Sequence, residues 1–224
     1  MTGLAMVRFD DRADAGRRLA AELEGLRDAA PVVLGLPRGG VPVGFAVAER
    51  LGAPLDVIVV RKLGVPNWPE LAMGAIGENG VRVMDADLVA REGVTEAELE
   101  LVERRERAVL SSYVARFCGG RERVDVHGRV AVVVDDGMAT GLTARAACQV
   151  VRQLGAARVI MAVPVAPAET VAHFDAADSL ICLEAPTVFF AVGEYYRHFW
   201  PTSDDQVVRL LDAARDYDSF HRMV

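Results

Sequence analysis

The sequence predicts an α/β domain: an open, mostly parallel sheet with helices on both faces, plus a small hood or hairpin region. Three observations carry this. Short continuous Val/Ile/Leu runs recur at Val32–Leu36, Leu55–Val60, Val130–Val134, Arg158–Val163 and Ser179–Leu183. Runs without polar alternation are strands buried on both faces. Helix-patterned stretches lie between them, and such alternation builds a parallel sheet covered on each side. The 224 residues, 52% hydrophobic, are enough to bury one sizeable core. The chain reads as a single domain over 1–224, with its core at 30–185 and a hood at 186–202 that leads into a C-terminal helix.

In chain order, Leu19, Leu23 and Leu26 recur at helical spacing and predict an amphipathic helix over 12–28, stopped by Pro31. The strand Val32–Leu36 leads into Pro37-Arg38-Gly39-Gly40 and a helical stretch to Leu51. The strand Leu55–Val60 closes on Arg61-Lys62. Residues 63–71, with Pro66, Asn67, Trp68, Pro69 and Glu70, read equally as part of a flexible loop over a site or as a Pro-rich surface turn. Asn79-Gly80 between two apolar segments predicts a β-hairpin over Leu71–Asp85. Thr95 and Glu98 form a capping box, and a long charged helix follows to about Phe117. Its Glu103–Arg107 cluster reads as a solvated face with i,i+4 pairs; a mobile lid or a subunit interface is the alternative.

Composition narrows the function. A formal net charge of −7 disfavours nucleic acid as a partner, because phosphate backbones need a basic face. No run approaches the ~20 apolar residues of a membrane span. Met1–Arg12 does not read as a signal peptide. Cys118, Cys148 and Cys182 are far apart, without CxxC spacing, and read as buried thiols of a reducing, cytoplasmic compartment. The four histidines are scattered, which argues against a histidine metal site or a triad.

The most informative stretch is Val132–Thr143. A buried strand ends in Asp135-Asp136, a loop with Gly137, Met138, Ala139, Thr140 and Gly141 follows, and a helix starts near Ala144. In an open α/β sheet, ligands sit at the carboxyl ends of strands. A glycine loop at a helix N-terminus turns N–H groups and hydroxyls towards one point, which suits a phosphate. Two carboxylates at a strand end, expected to face solvent, could hold vicinal hydroxyls or a hydrated Mg²⁺. The segment is not a Walker loop, having no Gly-Lys-Ser/Thr, nor a dinucleotide fingerprint, whose glycine spacing differs. On spacing alone, a plain strand–turn–helix connection with acidic turn residues remains open.

The run Val-Val-Val-Asp-Asp-Gly-Met-Ala-Thr-Gly-Leu-Thr resembles the phosphoribosyl-pyrophosphate (PRPP) signature of type I phosphoribosyltransferases. Leu36-Pro37-Arg38-Gly39-Gly40 resembles that family's pyrophosphate loop, and Arg61-Lys62 its second basic pair. The resemblance implies a transferase that moves 5-phosphoribose from PRPP, with Mg²⁺, to a nucleobase-like acceptor and releases pyrophosphate. It implies Asp135, Asp136 and Lys62 as the catalytic set. Asp135, Asp136, Gly137, Met138, Ala139, Thr140, Gly141 and Thr143 would bind the ribose 5-phosphate. Arg38, Gly39, Gly40, Arg61 and Lys62 would bind pyrophosphate. Asp135 and Asp136 would meet Mg²⁺ indirectly, through ligand and water. A homodimer is expected because the family commonly dimerises.

Phe189-Phe190-Ala191-Val192-Gly193 resembles the base-stacking segment of hypoxanthine-type members, with Phe190 and Ala191 at the base. Two departures speak against 6-oxopurines. Ala139 stands where that branch has an aspartate, and Val159–Pro164 lacks its lysine. A non-catalytic PRPP or nucleotide sensor and a phosphoribosyl hydrolase are the alternative functions.

Overall fold

The structure, a computed structural model, describes residues 9–221. In chain order the elements begin with α1 (Arg12–Glu22), β1 (Val32–Gly35), α2 (Gly40–Leu51), β2 (Leu55–Val57), β3 (Val60–Val65), β4 (Trp68–Gly77) and β5 (Arg82–Met84). Then come α3 (Ala86–Arg91), α4 (Glu96–Cys118), β6 (Val130–Val134), α5 (Leu142–Gln153), β7 (Arg158–Val165), α6 (Ala168–Ala172), β8 (Ser179–Glu184) and α7 (Asp204–His221).

Five strands form one parallel sheet in the order β2-β1-β6-β7-β8. Successive strand residues feed opposite cores. Val33, Val132 and Val134 pack with α1, α2 and α7, whereas Val32, Leu34, Ala131 and Val133 pack with α5. This is why the inner runs show no polar alternation: neither face of β1, β6 or β7 meets water, while the edge strand β8 is only partly buried. Among the described residues no helix is long and apolar enough to cross a membrane.

The second sheet is antiparallel, in the order β3-β4-β5, and comes from residues 60–84. Its β4–β5 turn contains Asn79 at φ 56° and Gly80 at φ 78°, the left-handed pair that Asn-Gly supplies at little cost. Residues 63–71, expected as a loop or surface turn, are mostly strand: β3 and β4 form a hairpin that turns at Pro66-Asn67. Residues 186–202 are irregular apart from a 3₁₀ turn at Val192–Tyr195, and Phe9 bridges to Tyr196 beside it.

Two expected elements are divided. The helix over 12–28 stops at Glu22, and Glu24–Ala29 continues as a 3₁₀ turn. Gly25, a poor helix former, lies in that turn. The run Leu55–Val60 is split between the two sheets. The Glu78 carboxylate accepts the Val59 amide at 2.8 Å, so a side chain replaces a ladder partner where the chain leaves the first sheet. Arg123 braces this crossing. It reaches Asp56 at 3.1 Å and Glu78 at 2.9 Å, and donates to the Val57 carbonyl at 2.7 Å.

The charged helix α4 carries the expected capping box at Thr95 and Glu98. Its charged cluster is only partly a solvated face. Arg104 and Arg105 are exposed, but Glu103 takes Arg82 at 3.1 Å and Glu106 takes Arg61 at 2.8 Å, fastening the second sheet to the helix.

Candidate active site

Two loops meet where the winding of the main sheet reverses. From β1 the chain passes through α2 to β2 on one side; from β6 it passes through α5 to β7 on the other. Because β1 and β6 are neighbours, the loops that follow them diverge from one point, the usual ligand position in such sheets. Close approach of the loops demands glycine. A Cβ on Gly40 would lie 2.4 Å from the Val134 carbonyl oxygen, and one on Gly39 would lie 1.9 Å from Asp136 Oδ2.

The loop after β6 is pinned from below. The Met138 amide donates to Val165 at 2.9 Å, and Thr170 Oγ1 donates to the Ala139 carbonyl at 2.7 Å. Met138 is buried, so only its backbone faces the loop. Gly141, at φ 78°, turns the chain into α5, and no side chain caps that helix. Its first N–H groups are therefore open to an anion, with the helix dipole behind them.

A cleft of about 360 Å³ opens over this loop. Asp135, Gly137, Met138, Ala139, Thr140, Gly141 and Thr143 form one side, and Lys62 and Glu70 of the second sheet another. Phe189, Phe190, Ala191 and Val192 complete the wall. Phe189 stacks on Tyr195 with ring centres 5.7 Å apart, whereas Phe190 is 80% exposed and free to meet a ligand. Lys62 pairs with Glu70 at 2.8 Å, which holds the Glu70 carboxyl below its ordinary pKa.

Arg61 does not join the cleft. Expected at a main-sheet strand end, it lies within β3, where neighbouring residues point to opposite faces. Lys62 takes the cleft side, and Arg61 turns to Glu106 and to the Tyr113 ring, 5.4 Å from its centre. Arg38, Gly39 and Gly40 sit on the neighbouring loop rather than in the cleft wall. Arg38, about half exposed, reaches towards Asp204 Oδ1 at 3.6 Å. That oxygen is buried and has no hydrogen-bond partner among the described residues, while Oδ2 pairs with Arg116 at 3.0 Å.

The acidic pair is not solvent-facing as expected: both residues are half-buried. Asp135 lines the cleft with no ion pair among the described residues, and burial, then the Asp136 charge, raise its pKa well above the usual carboxylate range. Burial also raises Asp136, against the pull of Arg12. Arg12 Nε donates to Asp136 Oδ2 at 2.8 Å, and the Tyr196 hydroxyl donates to the Asp136 carbonyl at 2.5 Å. The sequence held no sign of Arg12 or Asp204 in the site, of Tyr196 as a partner of Asp136, or of the pairing between Lys62 and Glu70. Each of these contacts joins residues eight to more than a hundred positions apart.

Fold and cleft together define an α/β domain whose cleft opens at the switch point of the sheet. Residues 8–198 match the family described as phosphoribosyl transferase domain, and the chain belongs to that family. It is 56% identical over 214 residues to Mycobacterium tuberculosis proteins, from two strains, named "Putative phosphoribosyl transferase". That match covers 95% of this chain and 48% of the relative, so the chain spans about half the length of the curated relatives it matches. The crystal structure of TT1426 from Thermus thermophilus is 45% identical, covers 91% of this chain and 97% of its own, and superposes with a TM-score of 0.76.

Proposed function

We propose that the chain transfers 5-phosphoribose from PRPP to a nitrogenous base and releases pyrophosphate. The observation that carries this reading is the single cleft joining the uncapped α5 N-terminus, the Asp135 carboxyl, Lys62 and the exposed Phe190 ring. In this reading the Gly137–Gly141 backbone and Thr140 hold the 5′-phosphate, and Asp135, the carboxyl of the acidic pair that lines the cleft, meets the ribose hydroxyls. Arg38, Gly39 and Gly40 hold the pyrophosphate, with Lys62 reaching it from the second sheet. Displacement at the anomeric carbon has oxocarbenium character, so positioning and charge stabilisation supply the rate, and no nucleophilic side chain is required.

Among the described residues no group of three or more His, Cys, Asp or Glu side chains converges to hold a metal. A single carboxyl of the acidic pair in the cleft, Asp135, suits Mg²⁺ that arrives with its ligand and is held by ligand oxygens and water, with Asp135 behind them. Bound there, Mg²⁺ would neutralise charge on the departing pyrophosphate.

Phe190 would cover the face of the acceptor, an interaction worth about 1–3 kcal/mol and tolerant of base identity. Discrimination then comes from edge hydrogen bonds. Ala139 offers no carboxylate, and Arg158, at the far end of β7, is engaged with Ser179 Oγ at 3.0 Å. Hypoxanthine and guanine are therefore expected to be poor acceptors beside adenine or a non-standard base. Incubation with PRPP and Mg²⁺, with and without a panel of bases, tests the reading. Base-dependent pyrophosphate release supports transfer. Release without a base indicates a hydrolase, and binding without turnover a sensor. PRPP at 100 times its Kd should also stabilise the fold by about 2.7 kcal/mol.

A further inference from the structure

The two carboxylates of the acidic pair, adjacent in sequence, meet different surroundings. Asp135 lines the cleft; Asp136 does not. Asp136 Oδ2 instead lies where a Cβ of Gly39 would be, against the loop that follows β1, and takes the Arg12 Nε hydrogen bond. Arg12 stands at the start of α1, 124 residues away in sequence, and its side chain is 12% exposed. Its Nη1 donates to the Trp200 carbonyl at 2.7 Å, and its guanidinium lies over the Phe199 ring, 3.9 Å from the centre. A planar fork held at two hydrogen bonds and one ring face has little freedom to turn.

We propose that Arg12 is a positioning residue of the active site: it seats the Asp136 carboxylate against Gly39 and leaves Asp135 as the one carboxyl presented to the ligand. The inference rests on the phosphoribosyl-transfer reading. Three features support it beyond the ion pair itself. The Asp136 carbonyl is fixed separately by the Tyr196 hydroxyl, so the backbone stays in place while Arg12 governs the side chain. The Asp136 amide donates to Asp135 Oδ1 at 2.9 Å, so the same fixed backbone holds the Asp135 carboxyl at the cleft whatever the Asp136 side chain does. Charge points the same way: Arg12 opposes the rise that burial imposes on Asp136, whereas burial and the Asp136 charge hold Asp135 up. Among the described residues, the charged and titratable groups around Asp136 are Arg12 from α1, Asp135 from its own loop and Tyr196 from the C-terminal segment.

The test is a double-mutant cycle on affinity for PRPP with Mg²⁺, read by calorimetry with wild type, Arg12→Met, Arg12→Lys, Asp136→Asn and Arg12→Met/Asp136→Asn. Circular dichroism and melting curves record that each variant is folded. Arg12→Met should weaken PRPP about tenfold, which is ~1.4 kcal/mol. Arg12→Lys should recover part of that, since one ammonium can serve Asp136 but not Trp200 as well. In the Asp136→Asn background, Arg12→Met should change affinity less than twofold, because Arg12 then has no carboxylate to seat. Equal losses in both backgrounds would overturn the inference: Arg12 would then act through Trp200 and Phe199 packing alone. Wild type that stays folded and does not bind PRPP would overturn the phosphoribose reading, and this inference with it.

Discussion

Gly39→Ala is the sharpest test of how the two loops fit. Gly39 has φ −65° and ψ −33°, a conformation open to any residue, so backbone freedom is not why glycine stands there. Space is. The added methyl would lie 1.9 Å from Asp136 Oδ2 and 2.5 Å from its Cγ, whereas real Cβ contacts stay above 3.0 Å. The carboxylate must retreat by about 1 Å, and its 2.8 Å bond to Arg12 breaks. A half-buried carboxylate that loses a charged partner costs about 2 kcal/mol. In a domain of this size that lowers Tm by about 4–8 °C. Scanning calorimetry of Gly39→Ala beside Gly25→Ala provides the comparison, because a Cβ at Gly25 meets nothing within 4 Å. Adding Asp136→Ala should return part of the loss by vacating the contested space. A Gly39→Ala protein that melts with wild type, or a double variant that loses the full sum of both, would refute the steric reasoning.

Other outcomes follow from the same geometry. Asp135→Asn should raise stability at neutral pH and lose that advantage towards pH 4. Its folded pKa lies above the unfolded value, so the wild type loses stability as pH rises between the two, by up to ~1.4 kcal/mol per unit; parallel Tm–pH curves for the two proteins would contradict this. Arg123→Ala should cost about 2–3 kcal/mol, because Asp56 is left buried without its cation; an unchanged urea midpoint would show that the brace contributes nothing. Burial pushes the thiols of Cys118 and Cys182 up to about 11 and Cys148 to about 12. A thiol reagent at pH 8 should therefore label the native protein slowly and all three thiols in denaturant, and rapid native labelling would refute their inertness.

How much of this was legible in the sequence depends on the range of the interaction concerned. Strands buried on both faces announce themselves by unbroken apolar runs, and Asn79-Gly80 announces its turn, because both signals are local. The run Leu55–Val60 misled for the same reason. Apolar continuity reports burial, and Ile58 and Val59 are as buried between the sheets as Val57 is within one. The Glu78 carboxylate that ends the first pairing there is 19 residues away from Val59. In the site, the Asp135–Thr143 loop could be read because one strand, one turn and one helix make it. The opposite directions of Arg61 and Lys62 follow from sheet alternation only once β3 is known to belong to the second sheet.

That division of Leu55–Val60 has a mechanical consequence. The second sheet is a cantilever. Its root is clamped: Ile58 and Val59 are buried, Val59 is held by Glu78, and Arg123 ties Glu78 to the main sheet through Asp56. Its far end, at Asn67, Trp68, Pro69 and Glu70, is exposed, and the pairing of β3 with β4 loosens there through register shifts on either side of Gly64. Along its length Arg61 and Arg82 are tied to α4 and Leu63 packs with Leu88 and Leu99, so only the tip is unsupported. Lys62 lies three residues beyond Val59, and its neighbour Arg61 is tied to Glu106 of α4, so its ammonium is carried on the stiff part of the arm beside the cleft.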